Sequence, residues 1–358
     1  MLKQKQINLV YLVSSLIKQG PNVVLFNLLR EIDFKIYRVS IMTFKAEACD
    51  SLLNAILKIN KEIMVYQYNE GSYLKRLNQV NKKLKEITPN IVHSSGFSAD
   101  VINILSKSVG QKKITTVHSF LDVDYKFEYG VKGLIIAKVH LFLLRYFDKI
   151  VACSDSVKEY LNGKGIFSQS IRNGVATSVV SNKYHGETNR YNFVFIGRLM
   201  KRKRIKYMLD EFLASKKSKD SVFYVVGSGP QEFELKEKYA SFSNIIFTGF
   251  QFNPFEYVML ADYLILVSLA EGLPMVALES LSVGTPLILS NIAPHREIYH
   301  TVNSGTCYLV DESLVDVFDV VPQKTNEIKL ACQEAFNRYF SSAIMAEEYQ
   351  NLYKLLFI

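Results

Sequence analysis

Tyr263-Leu264-Ile265-Leu266-Val267-Ser268 and Pro286-Leu287-Ile288-Leu289-Ser290 are two short apolar runs, and between them stands Glu271-Gly272-Leu273-Pro274-Met275-Val276-Ala277-Leu278-Glu279. The runs predict strands, and the segment between them predicts a Gly-Pro turn that opens an apolar helix. Eight positions are a little over two helical turns, so we expect the carboxylates of Glu271 and Glu279 on one face of one element. Strand, helix and strand in succession indicate a parallel sheet covered by helices.

The turn at Gly272, Leu273 and Pro274 places backbone N–H groups at the start of a helix, where they are open to an anion. The carboxylates of Glu271 and Glu279 accept hydrogen bonds from hydroxyl groups. A nucleotide-activated sugar needs N–H groups that bind its phosphates and carboxylates that bind its hydroxyl groups, and this stretch offers both. The stretch is therefore our first candidate for a ligand site.

The same alternation of β-branched runs and helical patterns extends over the whole chain of 358 residues. It predicts an α/β fold with two doubly wound, Rossmann-like domains. We expect a first domain over 1–173, a polar linker over 174–190, a second domain over 191–340 and an amphipathic helix over 341–358 that packs back on the first domain. Ligands of such folds bind beyond the carboxyl ends of strands, and here also in the cleft between domains. The predicted strands are Ile7–Val13, Lys35–Thr43, Ile63–Tyr66, Ile91–His93, Ile114–His118, Lys149–Cys153, Asn192–Gly197, Val222–Gly227, Ile245–Thr248, Tyr263–Ser268 and Pro286–Ser290.

Bulk composition excludes several classes of protein. Apolar residues make up 49% of the chain, which is enough for two cores and argues against disorder. We expect no signal peptide, and no run approaches the ~18–20 apolar residues of a membrane span. The four cysteines form no Cys-x-x-Cys pair, which argues against a zinc site and fits a reducing cytoplasm. We therefore expect a cytoplasmic protein whose cysteines are buried free thiols. They are Cys49, Cys153, Cys307 and Cys332.

Charge is distributed unevenly along the chain, whose net charge is +9. Residues 1–173 carry 25 basic against 14 acidic side chains, a balance of +11, whereas residues 174–358 carry 18 against 20, a balance of −2. Such asymmetry predicts that the first half faces an anionic surface or ligand. A membrane leaflet, a lipid diphosphate and nucleic acid all fit this balance. Because no nucleic-acid-binding motif is present, we expect no nucleic acid partner.

Two strand ends of the second half carry candidate phosphate-binding residues. Gly197-Arg198-Leu199 follows one strand, and Lys203 comes five positions after Arg198, so a planar guanidinium and a compact ammonium are available for a diphosphate. Gly227-Ser228-Gly229-Pro230 resembles part of a dinucleotide fingerprint but lacks its third glycine, and a tight strand-to-helix turn is the alternative. For the first segment the alternative is a solvated basic loop, since its neighbours are also basic. They are Lys201, Arg202, Arg204 and Lys206.

The first half has weaker candidates. Gly20-Pro21-Asn22 precedes a helix predicted from about Asn22, and it leaves backbone N–H groups open to an anion or a sugar unless it is a plain turn. His93 and His118 each end a predicted strand, where a hydrogen-bonded structural histidine is the alternative. His118 is the better candidate because a polar, acidic segment follows it. In that segment Asp122-Val123-Asp124 looks like an Asp-x-Asp metal motif, but a solvated loop is the preferred interpretation.

Together these segments resemble family four of the retaining glycosyltransferases, which have the GT-B fold, with two Rossmann-like domains facing a central cleft. Gly197-Arg198-Leu199 with Lys203 is similar to the family's phosphate clamp, and Gly20-Pro21-Asn22 to the glycine loop of its polysaccharide-assembly branch. The stretch from Glu271 to Glu279 follows the phosphate clamp along the chain, in the order that the family has. The other similar segments are Ser154-Asp155-Ser156-Val157-Lys158, Ile171-Arg172-Asn173-Gly174-Val175, Gly227-Ser228-Gly229-Pro230, Phe247-Thr248-Gly249-Phe250 and Gly284-Thr285-Pro286.

The resemblance implies a retaining, hexosyltransferase-type enzyme that uses a nucleotide diphosphate sugar and needs neither a metal nor another cofactor. Arg198 and Lys203 would neutralise the leaving diphosphate, a large contribution in such transfers. Glu271 would contact the donor sugar, Glu279 the ribose hydroxyls, and His118 the donor sugar from the other domain. The implied catalytic residues are Glu271, His118, Arg198 and Lys203. The implied donor-binding residues are Gly20, Gly197, Arg198, Lys203, Gly229, Gly272, Leu273, Pro274 and Glu279.

Two positions depart from the family pattern. Arg204 stands where the family often has glycine after the clamp lysine, which leaves the donor preference open. Gly20 lacks the second glycine common in that loop, which leaves the acceptor side open. Neither departure removes a residue to which the resemblance gives a chemical role.

The main hypothesis is a glycosyltransferase that moves a sugar, with UDP as the expected nucleotide, to a lipid-linked or free saccharide during capsule, O-antigen, lipopolysaccharide or exopolysaccharide synthesis. A nucleotide-sugar epimerase or phosphorylase, and a non-catalytic partner subunit, are the alternatives. The basic first half predicts peripheral attachment to the anionic inner face of the plasma membrane, with an ordinary solvated helix face as the alternative. The basic candidates are Lys75, Arg76, Lys82, Lys83, Lys85 and the segment Lys132–Arg145.

Overall fold

The computed structural model describes residues 6–107, 110–176, 190–302 and 305–357. The chain divides into two compact units. The first unit comprises Met1–Gly174 together with Ser342–Ile358, and the second comprises Val175–Ser341. Most of the predicted linker, 177–189, lies outside the described residues. Among the helices that are described, none combines the length and apolar composition of a membrane span.

A parallel sheet of seven strands forms the centre of the first unit, with strand order β3-β2-β1-β4-β5-β6-β7. The order reverses between β1 and β4, as in a doubly wound fold. Its strands are β1 (Ile7–Val13), β2 (Tyr37–Thr43), β3 (Met64–Gln67), β4 (Ile91–Ser95), β5 (Lys112–Val117), β6 (Lys149–Ala152) and β7 (Gln169–Ser170). Its helices are α1 (Gly20–Glu31), α2 (Leu53–Ile59), α3 (Tyr73–Ile87), α4 (Phe97–Leu105), α5 (Leu121–Tyr129), α6 (Val131–Leu144) and α7 (Asp155–Gly163).

Strand β1, near the middle of this sheet, is apolar on both faces except at Asn8, because helices cover both faces. In β1 six of the seven residues are buried. Val10 and Leu12 of β1 pack with Met42 of β2 and with Val80 and Leu84 of α3. The buried positions Val80 and Leu84 of α3 therefore face the sheet, whereas Lys75, Lys82 and Lys85 are exposed.

The second unit repeats the architecture with a six-stranded parallel sheet in the order β10-β9-β8-β11-β12-β13. The strand order reverses between β8 and β11. Its strands are β8 (Tyr191–Ile196), β9 (Ser221–Val226), β10 (Ile245–Gly249), β11 (Tyr263–Leu266), β12 (Leu287–Ser290) and β13 (Cys307–Val310). Its helices are α8 (Ile205–Ala214), α9 (Glu232–Lys238), α10 (Phe255–Leu260), α11 (Met275–Ser282), α12 (Ala293–Thr301), α13 (Leu314–Val320) and α14 (Asn326–Tyr339), with short 3-10 turns at Lys201–Lys203 and Lys216–Asp220.

The last helix, α15 (Ser342–Phe357), belongs to the first unit. Its Tyr353 hydroxyl lies 2.7 Å from Nδ1 of His93 and 3.0 Å from the Tyr11 hydroxyl. Its Tyr349 hydroxyl lies 3.0 Å from Oγ1 of Thr116. These buried hydrogen bonds join the end of the chain to β1, β4 and β5, so the predicted return of the C-terminal helix to the first domain is confirmed.

The α/β class and the two doubly wound sheets are confirmed, and several local predictions are corrected. His93 lies inside β4 and forms structural hydrogen bonds. Asp122 lies in the first turn of α5, not in a loop, and pairs with Lys164 at 3.1 Å. Cys49 is exposed, whereas the other three cysteines are buried free thiols as expected. The short strands β7 and β13 were not predicted.

Candidate active site

The carboxyl ends of β8 and β11 are the place where the second sheet reverses its strand order, and ligands of open α/β sheets bind at such a point. The loop after β8 contains Gly197, Arg198 and Lys203. The loop after β11 contains Glu271. Because β8 and β11 are hydrogen-bonded neighbours, the two loops lie side by side and bring Lys203 to Glu271.

Glu271 is the centre of this cluster, with only 8% of its surface exposed. Nζ of Lys203 donates a hydrogen bond to its Oε1, and Oγ of Ser268 donates to the same oxygen over 2.7 Å. Nη1 of Arg202 lies 3.6 Å from Oε2. The carboxylate is therefore bound by two cations and a hydroxyl, which offsets the cost of taking its charge out of water.

The charge state of Glu271 follows from these neighbours. Burial by itself raises the pKa of the carboxyl, but Lys203, Arg202 and, to a smaller extent, His295 lower it, and the resulting pKa is about 2. Glu271 is thus ionised at every physiological pH. It can accept hydrogen bonds from hydroxyl groups, but it cannot serve as a proton donor near neutral pH.

Backbone contacts hold the two loops at a fixed separation. The N–H of Leu269 donates to the carbonyl oxygen of Arg202 over 2.8 Å. Nη1 of Arg202 in turn donates to the carbonyl oxygen of Ala270 over 2.7 Å. Arg202 consequently connects the loop after β8 to the loop after β11 twice, and Glu271 rests on a rigid support.

The expectation that Glu271 and Glu279 share one helix face is wrong. Helix α11 begins at Met275, with Pro274 as its N-cap residue, so Glu271 lies on the preceding loop and only Glu279 is helical. The eight-residue spacing therefore does not set the relative direction of the two side chains. Leu273 and Pro274 are buried beside the helix start, and Gly272 and Glu279 are half-buried.

The basic side chains of the segment after β8 point in different directions. Lys203 and Arg202 turn inwards to Glu271, so the interpretation of the segment as a wholly solvated loop is wrong. Arg198 and Lys201 are exposed. The sequence did not single out Arg202, because a 3-10 turn has no apolar periodicity that shows which side chain points inwards.

Arg204 occupies the left-handed region, with φ of 54°. A non-glycine residue is strained there by about 1–2 kcal/mol, and this explains why glycine is suited to the position. The guanidinium of Arg204 lies 3.9 Å from the ring centroid of Tyr207, a cation–π contact that offsets part of the strain. Arg204 in place of the family's glycine thus affects the backbone conformation at this position, and it leaves Lys203 in place.

The glycines of Gly227-Ser228-Gly229-Pro230 allow close approach between two backbones. A Cβ atom at Gly227 would lie 2.0 Å from the carbonyl oxygen of Gly197, and one at Gly229 would lie 2.4 Å from that of Leu199. The N–H of Leu199 also donates to the carbonyl oxygen of Ser228 over 2.9 Å. The segment is therefore a tight turn that positions the loop carrying Gly197 and Arg198, which confirms the alternative interpretation without testing a ligand contact by Gly229.

Gly229→Ala is expected to displace the loop from Gly197 to Lys203, because its methyl group meets backbone that cannot rotate away. We expect a loss of stability of about 1–3 kcal/mol, as for overpacking. Thermal unfolding measures this loss. Gly163→Ala is the matched control, since nothing lies within 4 Å of its Cβ position, and it is expected to be neutral or slightly stabilising. A Gly229→Ala protein as stable as that control would contradict the close-approach argument.

The first unit contains two of the predicted site residues, Gly20 and His118. Gly20 is exposed and is the first residue of α1, so Gly20-Pro21-Asn22 begins the helix instead of preceding it. His118 directly follows β5 and is half-buried; its Nδ1 is buried without a hydrogen-bond partner among the described residues. Desolvation lowers the pKa of His118 to about 4, so the imidazole is neutral near pH 7.

Comparisons with known proteins agree with this architecture. Residues 18–179 match the family model described as "Glycosyltransferase Family 4". Residues 190–319 match the family model described as "Glycosyl transferases group 1". The chain is 26% identical over 370 residues to the O-antigen biosynthesis glycosyltransferase WclY of Escherichia coli, covering 98% of both chains. It is 26% identical over 270 residues to the UDP-Gal:alpha-D-GlcNAc-diphosphoundecaprenol alpha-1,3-galactosyltransferase of Escherichia coli, covering 68% of both.

Solved structures show the same fold. The crystal structure of Anabaena HepE in complex with UDP superimposes with a TM-score of 0.78 at 16% identity, covering 98% of this chain and 100% of that chain. The two matched families lie in succession and together cover most of both described units. The chain therefore belongs to the glycosyltransferases of the GT-B fold, with a family 4 domain followed by a group 1 domain.

Proposed function

We propose that the chain transfers a hexose from a UDP-sugar to a saccharide acceptor with retention of configuration at the anomeric carbon. The observation that carries this proposal is the ionised, buried Glu271 beside Lys203 and Arg202 at the reversal point of the second sheet. Donor binding requires a carboxylate that accepts hydrogen bonds from sugar hydroxyls. It also requires cations beside that carboxylate to neutralise the diphosphate. The UDP in the HepE crystals and the UDP-Gal in the name of one relative support UDP as the nucleotide.

Lys203 can serve both Glu271 and a diphosphate, because an ammonium has three N–H donors. One of them stays on Oε1 of Glu271 while the others take phosphate oxygens. Arg198, exposed at the end of β8, adds a second cation to the leaving diphosphate. We propose that these fixed cations act without a metal, that Glu279 accepts from the ribose hydroxyls, and that His118 contacts the donor sugar. The other proposed donor contacts are Gly20, Gly197, Gly229, Gly272, Leu273 and Pro274.

A lipid-linked saccharide is the proposed acceptor, in O-antigen, lipopolysaccharide or capsule synthesis. One relative is named for a diphosphoundecaprenol-linked acceptor, and another for O-antigen biosynthesis. The basic balance of residues 1–173 is compatible with an acceptor that carries a diphosphate.

The donor proposal is tested by thermal shift and by a transfer assay. UDP and UDP-hexoses at about 100 times their dissociation constant are expected to add about 2.7 kcal/mol of stability. ADP and GDP at the same concentration are expected to add much less. Release of UDP is expected to depend on an added acceptor and to persist in a chelator. Release of UDP without an acceptor would favour another reaction class, and loss of activity in the chelator would overturn the metal-independent mechanism.

We also propose that helix α6 and the basic face of α3 attach the first unit to an anionic membrane. On α6 an apolar stripe is exposed at helical spacing, with Ile135 65% and Phe142 57% exposed. Exposed basic side chains flank it, so the face combines apolar contact with charge attraction. The other exposed apolar residues of the stripe are Val131 and Val139, and its basic neighbours are Lys132, Lys138 and Arg145.

Co-sedimentation with vesicles tests this attachment. The protein is expected to bind vesicles that contain anionic lipid, less so as salt rises, and not to bind zwitterionic vesicles. Ile135→Asp with Phe142→Asp is expected to lower vesicle binding at least tenfold. Phe167→Asp is the matched control, because Phe167 is 91% exposed in the same unit but outside α6. Equal binding by all three proteins would contradict the proposal.

A further inference from the structure

The loop that carries Glu271 is held from behind by a chain of side chains. Oγ of Ser268 donates to Oε1 of Glu271, and Ser268 itself lies on the loop directly after β11. The carbonyl oxygen of Ser268 accepts a hydrogen bond from Oγ of Ser290 over 2.7 Å, at the end of the neighbouring strand β12. Ser290 therefore links the loop after β11 to the end of β12.

His295, near the start of α12, lies beside Ser290. Its Nδ1 lies 3.0 Å from Oγ of Ser290 and 3.1 Å from the carbonyl oxygen of Ser290. The ring is fully buried, with 0% of its surface exposed. The three residues Ser268, Ser290 and His295 thus form a continuous path from the interior of the second unit to Glu271.

The location of the hydrogens follows from the partners. Ser290 has one hydroxyl hydrogen, and it is donated to the carbonyl oxygen of Ser268. The carbonyl oxygen of Ser290 can only accept. The hydrogen between the imidazole and Ser290 must therefore be on Nδ1 of His295, and Nε2 carries the lone pair.

Two further observations agree with this tautomer. Nε2 of His295 is buried and has no hydrogen-bond partner among the described residues, so all the hydrogen bonding of the ring passes through Nδ1. Burial lowers the pKa of His295 to about 4, although the nearby Glu271 raises it, and the ring is neutral near pH 7. Nothing in the sequence marks His295 except its place just after a buried strand and Pro294.

We propose that His295 is a positioning residue for sugar transfer, whose Nδ1–H orients Ser290 and through it holds Ser268 and Glu271 in place. This inference rests on the proposed role of Glu271 at the donor sugar. Removal of the Nδ1–H lets the Ser290 hydroxyl rotate, so the loop after β11 relaxes and Glu271 moves. A displacement of about 1 Å at a group that contacts the reacting sugar costs up to 10²-fold in rate.

Three variants separate the two nitrogens of the ring. In His295→Asn the side-chain amide N–H stands where Nδ1–H was, whereas in His295→Gln the amide N–H stands where Nε2 was. In His295→Ala both nitrogens are lost. We expect kcat to fall 10- to 100-fold in the Gln and Ala variants and to remain within about threefold in the Asn variant. The dissociation constant of UDP, measured by calorimetry, is expected to change less than twofold in all three, because Arg198, Lys203 and Glu279 are untouched.

The outcomes decide the proposal. An active Gln variant with an inactive Asn variant would place the function at Nε2 and overturn it, and so would a fully active Ala variant. Parallel loss of UDP binding and of thermal stability in all variants would show a structural role only. A long-range nitrogen–proton NMR spectrum of the wild-type protein tests the tautomer without any substrate: Nδ1–H supports the relay and Nε2–H overturns it. That measurement remains decisive if the wild-type protein transfers no sugar, which would instead refute the proposed function.

Discussion

Glu271→Ala is expected to lower kcat about 10³-fold, because the variant loses the ionised acceptor beside the two cations at the end of β8. The carboxylate is buried, so its removal also leaves Lys203 and Arg202 facing each other. Breaking a buried pair in this way costs about 3–5 kcal/mol. A simple loss of activity in this variant would therefore mix chemistry with unfolding.

A paired variant tests how much of the loss of stability comes from the unpaired charge. Glu271→Gln with Lys203→Met removes both charges of the pair, and we expect it to recover most of the stability while kcat stays low. Steady-state kinetics and thermal unfolding of the single and double variants provide the measurement. A value of kcat within threefold of wild type in Glu271→Ala would refute the assignment of Glu271.

Glu279→Ala is the control for this result, because Glu279 is a half-buried carboxylate on the adjacent helix α11. Its proposed partner is the ribose, which does not react. We expect a roughly tenfold weaker UDP affinity, measured by calorimetry, and nearly normal kcat at saturating donor. Unchanged affinity would contradict the ribose contact.

Much of the fold could be predicted from the sequence, because local signals and tertiary contacts agree. Helix α3 begins and ends at local signals, since Ser72 caps its start by accepting from the N–H of Lys75 and Thr88 ends it in the left-handed conformation. Strand β1 also has its predicted bounds, because a run of apolar residues meets helices on both faces. The alternation of such segments was sufficient to predict two doubly wound sheets.

The side chains that meet at Glu271 were only partly predictable. Lys203 and Glu271 lie 68 positions apart, and their motifs indicated that both belong to a site. Arg202 and His295 carried no such signal, because the direction of a side chain on a loop depends on contacts that have no sequence period. The helical spacing argument failed for Glu271 for the same reason, since the residue lies before the helix.

Acidification from pH 7 to pH 5 is expected to destabilise both units, because each contains a buried neutral histidine. Burial lowers the pKa of His93 to about 3 and that of His295 to about 4, against about 6.5 in the unfolded chain. Below pH 6.5 the unfolded chain therefore binds a proton that the folded chain does not. The stability contributed by each neutral histidine is complete above pH 6.5 and falls as the pH approaches the folded pKa.

The size of this effect is about 2 kcal/mol per histidine at pH 5. Urea unfolding at both pH values measures it, and His93→Gln is expected to weaken the pH dependence of the first unit while lowering its stability at pH 7. The loss at pH 7 arises because His93 holds Tyr353 and Thr116, and so attaches α15 to the sheet. His300→Gln is the control, since it makes the same substitution at an exposed histidine. A stability that is the same at pH 7 and pH 5 would mean that these rings accept protons without unfolding, and it would contradict the lowered pKa values of His93 and His295.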